Sequence, residues 1–450
     1  MVGDSGVRRH GTRVTLVVLK PQNDTGSSEE EMPCYGVRRI HAAILADRAL
    51  ADIEVTYLEN PPIDVEDWVA QIEATRPDLV GFSVYVWSFP TMLDVARRLK
   101  ARHPEIVLIF GGPSARSAVF SLPPHADSLG FVDAISIGRD GEPAICDILA
   151  LDDWTPESLR SVPGLAVPGP HGWMDTRPRG PLSSLDDIAS PYDFDLMPYG
   201  VMAYLETYRG CPLSCTFCEW GVTESDRITF STEYIIKELR AFEKAGAIGG
   251  FVLDAGLNLN ARAFRRLVEA EREVQFFKNR SAIYEIYPSY LKEEHLEFIA
   301  HCGTSYLGIG LQSFEPHVLE LMQRPFDEAR FTKVVHEVAK IAPIELQIIL
   351  GLPGDSPAGF KRTIMRALEL PSQVRVYYCL VLPDALLTRG DPSWNMKFDP
   401  YTMRMESCLG WSEQDLRETS DWVSELAVRN NGSAGEYWWT FPRPSHRRAA

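Results

Sequence analysis

Residues 206–221 read ETYRGCPLSCTFCEWG, and the spacing inside this stretch governs how the whole chain is read. Cys211, Cys215 and Cys218 form C-x3-C-x2-C in a loop with Gly210 and Pro212. Three thiolates so close in a turning loop can converge on one centre. A structural zinc ion takes four ligands. No His lies between His171 and His295, and Glu219 is a poor substitute in a structural zinc site. A cubane iron–sulfur cluster held by three cysteines keeps one iron open for a substrate or cofactor. A chance cluster of small buried residues and a metal-holding regulator are the competing readings.

Working outward, the stretch follows a strand at Met202–Tyr208 and precedes an alternation of helices and short apolar runs. Helices are expected at 232–246, 261–273, 291–302, 315–323, 327–341 and 360–370. Strands are expected at 250–254, 282–287, 305–311, 344–350 and 374–382. Helices between short apolar strands imply parallel β/α units, so a barrel or a doubly wound sheet. Functional groups in such folds gather at the carboxyl ends of the strands, where the cysteine loop lies.

With Phe217 just before the third Cys, TYRGCP before it and CEWG after it, the loop resembles the cluster loop of the radical S-adenosylmethionine (SAM) superfamily. GIGLQSF, IILGLPGDS and LVLPDALL, in that order, are similar to segments of radical SAM barrels, in particular of the subgroup with a cobalamin-binding domain in front. The resemblance covers roughly 195–410. It implies a 4Fe–4S cluster on Cys211, Cys215 and Cys218, with SAM on the fourth iron. A flavodoxin or ferredoxin would supply one electron, and SAM would yield a 5′-deoxyadenosyl radical. It also implies cofactor contacts by Phe217 beside adenine, Asp254 (in VLDAG rather than the usual Gly-Gly-Glu), Gln312 and Ser313, and Gly351 and Pro353.

Residues 11–150 read as a separate unit with five strands alternating with helices, a doubly wound Rossmann-like domain with a ligand at its strand ends. No Gly-x-Gly-x-x-Gly follows the first strand, which counts against a dinucleotide. VGFSVYVWS, IFGGPSAR and GRDGEPA resemble the cobalamin-binding domain in front of many radical SAM enzymes. This implies cobalamin, with Ser83, Gly111 and Gly112 leaving room for its tail and Tyr85, Trp87 and Ser88 toward the corrin. Asp-x-His-x-x-Gly is absent, the loop KPQNDTGSSEEEMPCYG holds no His, and His41 reads as a packing residue, so cobalt is expected to lack a protein His ligand.

The remaining organisation is a Pro/Gly/Asp-rich connector at 151–200 with a hairpin near 164–174, the barrel at 201–410, and an extension at 411–450. That extension reads as one helix, with Leu416, Trp422, Val423, Leu426 and Val428 near one face, and an irregular aromatic tail. The chain has 450 residues, 24% charged and 45% hydrophobic, and a net charge of −17. This composition suits globular domains and argues against a nucleic-acid partner. No run reaches the length of a membrane span. The polar start MVGDSGVRRHGTR and the scattered Cys34, Cys146, Cys302, Cys379 and Cys408 point to a reducing, cytoplasmic setting without a disulfide framework. The expected function is an enzyme: a cobalamin-dependent radical SAM methyltransferase acting on an unactivated carbon of a small metabolite, natural-product precursor or short peptide. A cobalamin-associated radical isomerase, cyclase or oxidase is the alternative.

Overall fold

The computed structural model describes residues 11–21, 33–138, 140–222 and 228–443. Most of the loop after the first strand, Arg139 of GRDGEPA and the last seven residues lie outside them. The chain divides into two compact units, 1–198 with 400–402, and 199–399 with 403–450.

The first unit is a seven-stranded sheet in the order β2-β1-β3-β4-β5-β6-β7. Its strands are β1 (Arg13–Leu19), β2 (Glu54–Asn60), β3 (Leu79–Ser83), β4 (Val107–Gly111), β5 (Ala134–Ser136), β6 (Leu165–Gly169) and β7 (Gly172–Asp175). The first five are parallel. Central β1 reads RVTLVVL and is buried along nearly its whole length, as a parallel strand covered on both faces must be. The helices Val65–Thr75 and Phe89–Arg102 connect β2 to β3 and β3 to β4. The hairpin β6–β7 adds antiparallel to β5, so residues 151–198 group with this unit. The strand order turns at β1 and β3, and doubly wound sheets hold ligands at such a point.

The second unit contains an eight-stranded open sheet, β16-β17-β13-β12-β11-β10-β9-β8. The strands are β8 (Met202–Leu205), β9 (Gly249–Val252), β10 (Ser281–Glu285), β11 (Thr304–Gln312), β12 (Ile344–Leu350) and β13 (Gln373–Tyr378). A small ladder, β14 (Lys397–Phe398) and β15 (Met405–Ser407), precedes β16 (Ser433–Ala434) and β17 (Trp438–Phe441). β8 to β13 are parallel, in the manner of a partial β/α barrel. Helix Ala261–Val274 shows why its sequence folds as it does. Asn260 caps it by accepting from the Arg262 and Ala263 amides, and Ala263, Phe264, Leu267 and Ala270 form its buried stripe. Burying a Phe or Leu contributes about 1.5–3 kcal/mol each.

Two expectations about the C-terminal region change. The described part of the tail contains a strand: Trp438–Phe441 pairs antiparallel with β13, giving that strand's backbone groups partners they would otherwise lack. In helix Glu413–Arg429 the buried residues are Leu416, Thr419, Val423 and Ala427, while Val428 is 70% exposed. Residue 428 lies about 100° around the helix from 427, off that stripe.

Candidate functional site

β8 was expected to run to Tyr208 but ends at Leu205, because the next amides bond a side chain instead of a strand. Thr207 N donates to Asp254 Oδ1 at 2.8 Å, Thr207 Oγ1 to Asp254 Oδ2, and Tyr208 N to Asp254 Oδ1 at 3.4 Å. Asp254 is only 4% exposed, and burial pushes its carboxyl up to about 7. It braces the chain as it leaves the sheet for the cysteine loop. That loop is held from the other side by Arg389, whose Nη2 donates to the carbonyls of Cys215 at 2.9 Å and Cys218 at 2.6 Å. Arg389 Nη1 reaches the Ser214 carbonyl at 3.3 Å.

Cys211, Cys215 and Cys218 line one cavity of about 400 Å³ at the carboxyl ends of β8 to β11. Burial raises the thiols of Cys211 and Cys218, the latter to about 11, and the neighbouring cysteines add to this while Arg324 opposes it. Among the described residues no three His, Cys, Asp or Glu side chains close around a single ion. Three soft sulfur donors and no fourth are the donor set that a cubane with one open corner requires.

Of the other expected residues, Phe217, Asp254 and Gln312 also line this cavity. Gln312 has φ +70, in the left-handed region, at a register shift between β11 and β12. Non-Gly residues held this way concentrate at functional sites. Ser313, Gly351 and Pro353 do not line the cavity. The Ser313 hydroxyl accepts from Glu315 N at 3.1 Å, a turn-forming bond. Gly351 has φ +94 and packs under Leu416, which lies 2.9 Å from where a Cβ would sit.

Four polar residues of the cavity, Glu285, Tyr287, Arg324 and Gln347, were not anticipated. Arg324 bonds the Gly310 carbonyl, sits 3.7 Å from Cys215 Sγ and lies 5.0 Å from the Tyr287 ring centre. Glu285 accepts from Gln347 Nε2 at 2.9 Å, and burial raises its carboxyl. Its side chain lies over Gly308, where a Cβ would stand 2.0 Å from Glu285 Oε1. Tyr287 completes this wall. Glu285 and Gln347 did leave a signal, being polar residues inside the buried runs AIYEIY and IELQIIL. Arg324 and Arg389 sit in connecting segments with no periodicity to expose them.

In the first unit Ser83 ends β3 and is the register partner of Gly111, which ends β4. Gly112 has φ +97, and a Cβ there would meet the Val84 carbonyl at 2.7 Å, so only glycine lets these two loops approach. Ser88 Oγ accepts from Tyr85 N at 2.9 Å and so forms the turn after β3. Tyr85 and Trp87 stack with ring centres 4.6 Å apart, and Trp87 is 46% exposed. Small residues at the strand ends beside a stacked aromatic pair whose Trp87 faces outward fit a large planar cofactor. His41 is engaged elsewhere, bonding Tyr57 through Nδ1.

Residues 205–367 match the family model of the radical SAM superfamily, and residues 26–136 that of the B12 binding domain. The chain thus carries a radical SAM domain preceded by a B12-binding domain. It is 27% identical over 405 residues to the 2-(S-pantetheinyl)-carbapenam-3-carboxylate methyltransferase of Streptantibioticus cattleyicolor, covering 81% of this chain and 56% of that protein. It is also 27% identical over 380 residues to the cobalamin-dependent radical SAM methyltransferase TokK of Streptomyces tokunonensis, covering 78% and 52%. The chain thus spans about half the length of these relatives. In fold it is similar to the methyltransferase TsrM of Kitasatospora setae, solved with cobalamin and a 4Fe–4S cluster. That likeness has a TM-score of 0.63 at 15% identity, covering 94% of this chain and 89% of that one. No helix among the described residues is long and apolar enough to cross a membrane.

Proposed function

We propose that this chain is a cobalamin-dependent methyltransferase that moves a methyl group from SAM, through cobalamin, to an unactivated carbon of a small metabolite or natural-product precursor. One observation carries the reading: a cavity lined by three cysteine thiols at the strand ends of one unit shares a chain with a doubly wound B12-binding unit. The names of both sequence relatives support it.

Cys211, Cys215 and Cys218 are the groups that would hold the cluster. When bound, the cluster and SAM supply an oxidant able to take hydrogen from an unactivated carbon, and cobalamin supplies the methyl group. Arg324 presents a guanidinium suited to the carboxylate of SAM. Glu285 and Gln312 offer acceptors to its ammonium and hydroxyl groups, and Phe217 a ring to its adenine. Asp254 and Arg389 fix the loop from two sides. Leu213, Phe251, Val252 and Ile286 make the remaining wall apolar and exclude water. Ser83, Gly111, Gly112, Tyr85, Trp87 and Ser88 are the residues we assign to cobalamin. A flavodoxin or ferredoxin completes the reading as electron donor.

Anaerobic turnover with methyl-labelled SAM, cobalamin, a reductant and candidate substrates tests it. Two SAM molecules are consumed per product, so 5′-deoxyadenosine and S-adenosylhomocysteine should appear in near-equal amounts that match methylated product. Deoxyadenosine with altered but unmethylated substrate would replace this reading with a radical isomerase, cyclase or oxidase.

A further inference from the structure

The face of the second unit's sheet that carries the cavity also carries polar residues in rows fixed by strand register. Glu285, Gly308, Glu345 and Gln373 are successive partners from β10 to β13. Gly310, Gln347, Arg375 and Thr440 form the next row toward the carboxyl ends of β11 to β13, and Ile349, Tyr377 and Trp438 the row after that. The cavity extends across this face as far as Gln347. Arg375 therefore stands one strand beyond its edge, about 5 Å away in backbone terms, on the same face and outside the thiol-lined wall.

Arg375 is built into place. Its Nε donates to Glu345 Oε2 at 3.0 Å, and the same oxygen accepts from Gln373 Nε2 at 2.9 Å and from the Tyr306 hydroxyl at 3.2 Å. Its guanidinium lies 5.7 Å from the Trp438 ring centre. Glu345 is buried, with a side chain 7% exposed, while Arg375 is 32% exposed. A purely structural pair would turn both sides of the guanidinium fork onto the carboxylate, the bidentate arrangement that these two groups favour. Here Glu345 takes only Nε. Neither terminal nitrogen donates to a carboxylate among the described residues, and the Arg375 side chain keeps about a third of its surface exposed. Their polar neighbour is the neutral Tyr377 hydroxyl, held protonated by burial against the pull of the Arg375 cation. Tyr377, 36% exposed, and Trp438 stand in the row above, so the terminal nitrogens open on a surface with aromatic walls.

We propose that Arg375, oriented by Glu345 and Trp438, is the subsite for a carboxylate of the methyl-accepting substrate, which makes that substrate a small carboxylic acid. This rests on the methyltransferase reading and names the substrate class of the same site. The SAM-facing residues lie on the β8–β11 side, and Arg375 would hold the second reactant on the β12–β13–β17 side.

Arginine-specific labelling of the reconstituted full chain with phenylglyoxal, read by peptide mass spectrometry without reductant, tests the proposal. The probes are a carbapenam-3-carboxylate and its primary amide. Arg375 should be labelled in the free protein. The acid should slow that labelling at least fivefold, while the amide leaves it within twofold. An unlabelled Arg375, equal protection by acid and amide, or protection by neither overturns the proposal. Because no turnover occurs in this experiment, its result is separate from the by-product ratio on which methyl transfer stands or falls.

Discussion

Burial opposes ionisation at Cys211 and Cys218, and their mutual proximity adds to that opposition. A metal-free loop of this kind keeps its protons, and ligation by iron must release them. The three cysteines lie in a loop outside the sheet, so replacing them should cost the cluster and leave the fold. In the variant with Cys211, Cys215 and Cys218 all changed to Ala, bound iron should fall from about four per chain to under one, with the far-ultraviolet circular dichroism unchanged. Retention of the same iron absorbance would exclude these residues as ligands. At the same scale, Asp355 makes a prediction about pH. It is 2% exposed, Oδ2 is buried without a hydrogen-bond partner, and burial followed by the nearby Glu315 carboxylate pushes it up to about 6. In the unfolded chain an Asp ionises near ~3.9. The folded state thus binds more protons between those values. The contribution is fully present below about pH 4 and is lost as pH rises through about 6, by up to roughly 3 kcal/mol. Asp355→Asn cannot ionise and should flatten that part of the curve and raise stability at pH 7. Chemical denaturation of both proteins from pH 4 to 7 measures it, and identical slopes would contradict the assignment.

Between residue and molecule, the segment Pro383–Arg389 acts as a unit on the cysteine loop. Arg389 closes it by donating Nε to the Asp384 carbonyl at 2.9 Å, and its terminal nitrogens reach across to the loop. Hydrogen bonds from a charged donor contribute about 1.5–3 kcal/mol, and here they act on loop geometry rather than on the core. Arg389→Gln should speed iron loss to a chelator about tenfold and lower the melting temperature by only a few degrees, with Arg389→Lys intermediate. An unchanged rate of iron loss would reduce Arg389 to a surface contact. This element also shows where the sequence runs out. Ile344–Leu350 was legible to the residue and the helix Ala261–Val274 to within one residue, because apolar spacing is regular in both. The cysteine loop was legible from spacing alone. Arg324 and Arg389 were not, since a loop arginine looks the same whether it is solvated or reaches a cysteine loop more than a hundred residues away. The end of β8 was missed because Asp254, 46 residues downstream of Tyr208, takes the amides a longer strand would have used. The strand Trp438–Phe441 was missed for a similar reason, as an aromatic tail becomes a strand only when a free sheet edge such as β13 exists.

For the molecule as a whole, the question is what the B12-binding unit presents to cobalt. Its His41 ring is held between helix and sheet, bonded through Nδ1 to Tyr57 and edge-on to that ring at 5.4 Å between centres. Burial, aided by the Arg38 cation, lowers its pKa, which suits a neutral packing imidazole. His125 is 2% exposed, and its Nε2 lies 3.0 Å from the Pro400 carbonyl. His103 faces Glu73 at 3.1 Å. Each of these rings would have to abandon a partner to reach a metal. The strand ends offer instead Ser83, the two glycines and the Tyr85–Trp87 stack, none of which carries an imidazole. Cobalamin should therefore bind this unit without a nitrogen ligand from the protein. The check is electron paramagnetic resonance of cob(II)alamin bound to the full chain, prepared once with natural nitrogen and once with 15N throughout the protein. The two spectra should be the same and free of axial nitrogen hyperfine structure. Splitting that changes with the isotope would show a protein nitrogen on cobalt, and its loss in His41→Ala would then identify the ligand and reverse the packing role assigned to that residue.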